Sequence, residues 1–177
     1  NDSTIAAYLV RACGDMAIDL RTQGQAGLTP SAFLSKQLQS SDPRTVLEAI
    51  IATTRQGKTD LAKAMAPQLA SPDPLIAHTS FQALAQLQSN TVALEKIQSS
   101  DSKIRLGASR ALMRIHQKEN ISALLKILAN EKDSEVRKSV ISTLARLYHR
   151  EATWQGDSWS TRPDTRGPYY QLELWET

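Results

Sequence analysis

Four stretches of the chain carry apolar residues at one repeated set of positions. "DPRTVLEAIIATTRQ" from Asp42, "DPLIAHTSFQALAQL" from Asp73, "DSKIRLGASRALMRI" from Asp101 and "DSEVRKSVISTLARL" from Asp133 align on their first residue, at spacings of 31, 28 and 32. Three places on stand Thr45, Ile76, Ile104 and Val136; seven on, Ala49, Ser80, Ala108 and Val140. Eleven on come Thr53, Leu84, Leu112 and Leu144, and fourteen on, Gln56, Leu87, Ile115 and Leu147. Offsets of 3, 7, 11 and 14 return to one side of a 3.6-residue helix, so each stretch predicts an amphipathic helix. The leading aspartate is placed to accept hydrogen bonds from the first free amides, and the proline or serine behind it suits the first turn. The pattern is sharp in the last three stretches and eroded in the first, where Thr53 and Gln56 stand on the stripe.

A shorter apolar stretch precedes each of these. "TPSAFLSKQL" from Thr29, "DLAKAMAPQL" from Asp60, "NTVALEKI" from Asn90 and "NISALLKIL" from Asn120 each open on a residue suited to capping. The repeating unit is therefore a helical hairpin of about 30 residues. One such hairpin cannot bury its own apolar face, but a stack can. The predicted fold is an all-α solenoid of about four hairpins over residues 1–151, closed by a non-helical C-terminal cap.

At the N-terminus, "DSTIAAYLVRACGDM" places Ile5, Leu9, Cys13 and Met16 at the same offsets from Asp2. It reads as a second helix without its first, with those residues on the buried stripe and Cys13 a small buried hydrophobe. On this reading the chain opens inside a repeat and its parent continues upstream. Gly24, Gly27 and Pro30 mark the loop to the next hairpin.

The Asp101 and Asp133 stretches each combine an aspartate, an Ile-Arg or Val-Arg pair and a small residue ahead of a leucine. In this they resemble the second helix of a HEAT repeat, and the resemblance covers roughly residues 29–150. It implies that Arg105 and Arg137 pair with acids of neighbouring repeats. Val46 and Ala77 stand where that family often has arginine, which interrupts any continuous ladder.

From Trp154 the helical period stops. "RPDTRGP" is turn chemistry, and "YYQLELW" alternates as an edge strand does. Residues 152–177 are expected to cap the last hairpin or to join it to a following domain, with Trp159, Arg162, Tyr169, Tyr170 and Trp175 as docking side chains. "WSTRPDTRGPYYQLELWE" resembles a segment that follows HEAT repeats in large secreted bacterial proteins. Those proteins also carry a propeller like that of sugar dehydrogenases and a CxxCH haem-binding module. The resemblance implies a periplasmic or extracellular parent, the cytoplasm being the alternative. This chain itself has neither CxxCH nor propeller.

Composition agrees with a helical fold: aromatics are 5%, below what strands draw on. No run of 18 apolar residues spans a membrane. A single cysteine excludes an internal disulfide or a multi-cysteine zinc site. His78, His116 and His149 lack ligand spacing, and no phosphate-binding glycine loop, GxSxG or arguable carboxylate pair occurs. No catalytic residue, metal or cofactor is assigned.

The net charge of +3 is uneven: residues 101–150 hold eleven Lys/Arg against five Asp/Glu, residues 151–177 two against five. Offsets 2, 5, 9 and 13 point away from the stripe, and in the last two units they hold Lys103, Arg110, Arg114, Lys138 and Arg146. This basic surface is the candidate site for an acidic partner or phosphate. No aromatic interleaves with these arginines, which weighs against single-strand stacking in particular. The expected function is a non-catalytic binding or scaffold segment. Its partners would be other domains of the parent or a separate protein, with nucleic acid disfavoured and a monomer expected. A HEAT-like DNA-repair glycosylase and a bilin-lyase-type HEAT protein are the alternatives.

Overall fold

The computed structural model describes residues 3–22, 30–151 and 172–174, with side chains over 5–16 and 30–148. Helices α1 (Ser3–Thr22), α2 (Ser31–Gln37) and α3 (Pro43–Arg55) lead into a broken segment. That segment is a 3-10 turn at Thr59–Leu61, then α4 (Ala62–Met65), then a second 3-10 turn at Ala66–Ala70. Pro67, which lacks an amide to donate, stands where the α-helix gives way. Then follow α5 (Pro74–Gln86), α6 (Asn90–Lys96), α7 (Ser102–Leu112), α8 (Lys118–Asn130) and α9 (Ser134–Leu147).

All four aligned aspartates cap their helices. Thr45 N donates to Asp42 Oδ2 at 2.8 Å, Leu75 N to Asp73 Oδ1 at 2.8 Å, Lys103 N to Asp101 Oδ1 at 2.8 Å and Glu135 N to Asp133 Oδ1 at 2.9 Å. Each cap is itself held from two places upstream. Ser40, Ser71 and Ser99 accept from the amides of Asp42, Asp73 and Asp101, and Glu131 accepts from that of Asp133.

The shorter helices open differently from expectation. Pro30, Ser89 and Gln117 precede α2, α6 and α8 without a side-chain cap, and Asp60 lies inside a 3-10 turn. Asn120 is buried inside α8, where its Nδ2 donates to Ile115 O at 2.8 Å and ties down the turn after α7. At α8 the Asn120 side chain is spent on that turn and caps no helix.

The second helices α1, α3, α5, α7 and α9 pack one against the next, while α2, the Ala66–Ala70 turn, α6 and α8 pack on the second helix of their own hairpin. The predicted stripe forms the core. Thr45, Ala49, Thr53, Ile76, Ser80, Leu84, Leu87, Ala108, Leu112, Ile115, Val136, Val140 and Leu147 are buried, with Ile104 packed on them. Thr53 is fully enclosed despite its hydroxyl, which has no hydrogen-bond partner among the described residues.

Two positions correct the expectation. In α9 Leu144 is only partly buried, and Thr143 takes the enclosed place because its Oγ1 donates to Ser109 O at 3.0 Å. In α1 the predicted stripe faces outward: Ile5, Leu9 and Met16, with Tyr8 beside them, are each more than half exposed. Ala7 and Val10 are buried instead, in line with Gly14. A Cβ on Gly14 would lie 3.0 Å from Ala52 Cα, so this small-residue face lets α1 settle closely on α3. Among the described residues no first helix covers the other face. Cys13 is half-buried rather than enclosed, and its carbonyl accepts from Gln56 Nε2 at 3.1 Å.

After α9, β1 (His149–Glu151) pairs antiparallel with β2 (Leu172–Leu174), His149 opposite Leu174. The alternation in "YYQLELW" is thus a strand at its centre. Trp159, Arg162, Tyr169, Tyr170 and Trp175, and with them the expected cap, lie outside the described residues. No described helix is long and apolar enough to cross a membrane.

Candidate partner-binding surface

Stacking the second helices in register lines up equivalent offsets from unit to unit. Offsets 9 and 13 give Arg11 and Asp15 in α1, Ile51 and Arg55 in α3, Gln82 and Gln86 in α5, Arg110 and Arg114 in α7, and Ser142 and Arg146 in α9. At the N-terminal end this row is paired, because Arg55 Nη1 and Arg11 Nε both reach the Asp15 carboxylate.

Towards the C-terminus the row changes character. Arg110 lies over the Phe81 ring, its Cζ 6.0 Å from the centroid. Arg114 Nη1 donates to Gln82 Oε1 at 2.6 Å, and Gln82 Nε2 lies 3.4 Å from His78 Nε2. The His78 ring meets Phe81 edge-on, with centroids 4.7 Å apart. Arg114, Gln82, His78, Phe81 and Arg110 therefore form one connected surface across α5 and α7. Lys103 shares it, seven residues and about two turns before Arg110.

Of the five basic residues singled out, Arg110 and Arg114 come together here, and Lys103 shares their face of α7 by its spacing. Arg146 holds the same offset one unit on and is partly buried. Lys138 stands apart, its Nζ 2.8 Å from Glu135 Oε1, and that hydrogen bond raises its pKa. The expectation of no interleaved aromatic is corrected by Phe81. It comes from the preceding helix at offset 8, so scanning α7 alone cannot find it. Aligning the units would have placed Phe81 and Gln82 beside the arginines.

Among the described residues the ion pairs lie outside this surface. Lys63 and Lys96 reach Glu95, Arg105 reaches Glu131 and Lys138 reaches Glu135. Lys103, Arg110 and Arg114 make no ion pair among the described residues.

Arg105 and Arg137, expected to meet acids of neighbouring repeats, diverge. Arg105 grips Glu131 with Nε at 2.7 Å from Oε2 and Nη2 at 2.9 Å from Oε1, while its Nη1 donates to Ser99 O and Ser100 O. The Arg105 hydrogen bond holds the Glu131 carboxyl below its usual range, and the same bond raises the guanidinium. Arg137 Nη1 donates instead to the carbonyls of Leu128 at 2.7 Å and Glu131 at 3.0 Å, and it meets no acid among the described residues. No described cluster of His, Cys, Asp and Glu gathers as a metal site.

A family model of HEAT repeats matches residues 90–153, which are the third and fourth hairpins. Two engineered proteins solved as crystal structures by the Northeast Structural Genomics Consortium share the fold. One is 20% identical with a TM-score of 0.50, over 84% of this chain and 75% of that one. The other is 22% identical with a TM-score of 0.51, over 84% of this chain and 45% of its own length. No curated protein matches. At these identities the likeness is one of fold: the chain is an all-α stack of helical hairpins, HEAT-like over its C-terminal half.

Proposed function

We propose that the chain is a non-catalytic binding scaffold that receives an acidic segment of a protein partner on the α5–α7 surface. The observation that carries this is the ordering of two guanidiniums that meet no described carboxylate: the Phe81 ring lies under Arg110, and Gln82 Oε1 accepts from Arg114. A guanidinium offers a flat fork to a carboxylate, and one already oriented loses less entropy on binding. Arg146 extends the row by one unit. The partner's carboxylates would lie along α7 with an apolar side chain against Phe81.

Titration with polyglutamate and, in parallel, with a 20-base-pair DNA duplex tests this. Polyglutamate should bind, and Arg110→Ala with Arg114→Ala should weaken it about tenfold or more, since hydrogen bonds to charged groups contribute roughly 1.5–3 kcal/mol each. Binding of the duplex in preference, with a steep salt slope lost in the same double variant, would replace this reading with a nucleic-acid one.

A further inference from the structure

A second surface lies on the other side of the second-helix row. Offsets 4 and 8 are the positions each unit turns towards the next: Val46 and Ile50, Ala77 and Phe81, Arg105 and Ser109, Arg137 and Ile141. The junction between α7 and α9 shows what they do. Ser109 meets Ser139 and Thr143 of the following helix, each at 3.1 Å between hydroxyls, and Arg105 grips Glu131, two places ahead of the following cap. In the inner units these positions are covered. Val46, Ile50 and Ser109 are buried, Phe81 packs on the core, and the Arg105 side chain is 17% exposed. In α9 Arg137 is exposed and Ile141 is 52% exposed.

The two arginines are anchored alike. Nη1 of Arg105 is fixed by the carbonyls of Ser99 and Ser100, and Nη1 of Arg137 by those of Leu128 and Glu131. In Arg105 this leaves Nε and Nη2 as parallel donors, and both are taken by one carboxylate. In Arg137 no described residue takes them. The fork is oriented and open, one helical turn from an apolar side chain of the size found at Ile50.

We infer that this face of α9 is a docking surface for a partner's helical segment that carries a carboxylate two places ahead of its N-cap. Arg137 would take that carboxylate as Arg105 takes Glu131, which is continuity with an interface the fold already uses. Ile141 selects a small residue opposite. Offset 10, where Thr143 meets Ser109 at offset 8 of the preceding unit, is alanine in the other three aligned units: Ala52, Ala83 and Ala111. The larger Thr143 meets the small Ser109. The face lies about 100° to 180° around the helix from offsets 9 and 13, by the spacing of about 100° per residue, and it is on α9 and not on α5 or α7, so it is independent of the α5–α7 surface.

The probe is a synthetic peptide of residues 71–87 carrying Ser71→Glu, compared with the same peptide unchanged. It has the cap Asp73 and Ala83 at offset 10. Nuclear magnetic resonance of the full chain would follow the Arg137 Nε–H signal and the α9 amides. The Ser71→Glu peptide should shift both and bind about tenfold more tightly than the unchanged peptide. Arg137→Gln should abolish that preference, and Ile141→Glu should remove binding of both peptides while leaving the circular dichroism unaltered. Equal affinity for the two peptides, or no binding of either, overturns the inference. So does an Arg137 Nε–H already protected from exchange in the free chain, since its own residues or a second copy would then hold the face.

Discussion

Between α1 and α3 the backbones approach until a Cβ on Gly14 would sit 3.0 Å from Ala52 Cα, and the charged contacts at the edge are exposed. Between α7 and α9 the contact is held by polar groups. Ser109, Ser139 and Thr143 join hydroxyls in the interior, and Arg105 grips a glutamate whose side chain is 6% exposed. A contact built on small residues depends on size and is indifferent to pH. One built on a fork and a carboxylate depends on both partners staying charged, and it leaves a buried group unmatched when either is lost. The repeat fixes where neighbours meet, and the chemistry at each meeting is free to differ.

The largest effect should come from breaking the polar junction. Arg105→Ala leaves the Glu131 carboxylate with the Asp133 amide alone and frees two backbone carbonyls, and losing a part-buried charged fork of this kind destabilises by about 3 kcal/mol. Urea denaturation would measure it, and a loss within 0.5 kcal/mol would show the pair to be dispensable. The pH dependence has a definite sign. Glu131 is held below the usual glutamate value, so its contribution is present above the unfolded pKa of about 4.3 and fades as pH falls through the folded value. The stability curve of Arg105→Ala should therefore be flatter than that of the wild type on the acid side.

The α1–α3 contact should break by size alone. Gly14→Val adds a Cβ against backbone, which cannot yield as a side-chain tip does, and overpacking of this kind costs about 2 kcal/mol. Gly14→Ala is the sharper comparison. Its Cβ requires a shift of a few tenths of an ångström, but alanine gains about 1 kcal/mol of helix propensity over glycine, so the net change should be near zero. Thermal melts of the two variants give the contrast, and a valine variant that melts with the wild type would mean a looser junction.

Much of this architecture was legible because it is written locally. An aspartate caps its own helix, and the offsets 3, 7, 11 and 14 name a face whatever packs on it. Even the support two places ahead could be seen, as Ser-x-Asp recurs at Ser40, Ser71 and Ser99. What stayed hidden depends on neighbours. Ile5, Leu9 and Met16 fit the stripe perfectly, yet a stripe is buried only where another helix covers it, and no described helix covers theirs. Thr143 displaces Leu144 because of a carbonyl on α7. In the candidate surface the arginines were visible, while the ring and amide that orient them belong to the preceding unit.

The smallest effect tests whether charge matters at the first junction. Arg55 and Asp15 form an ion pair, as Arg105 and Glu131 do, but their side chains are 39% and 53% exposed. Water already solvates both groups, so little desolvation is at stake when one is removed, and holding two long side chains in register costs entropy. Arg55→Ala should change stability by about 0.5 kcal/mol or less, and raising the salt from 0.05 to 0.5 M should erase even that. Asp15 also lies 3.7 Å from Arg11, which keeps a partner for the carboxylate when Arg55 is gone. A double-mutant cycle of Arg55→Ala with Asp15→Asn isolates the pair from the packing of the arginine stem. A coupling above 1 kcal/mol that persists at 0.5 M salt would show a desolvated lock at this end as well, and the contrast between the two junctions would then be one of size and not of chemistry.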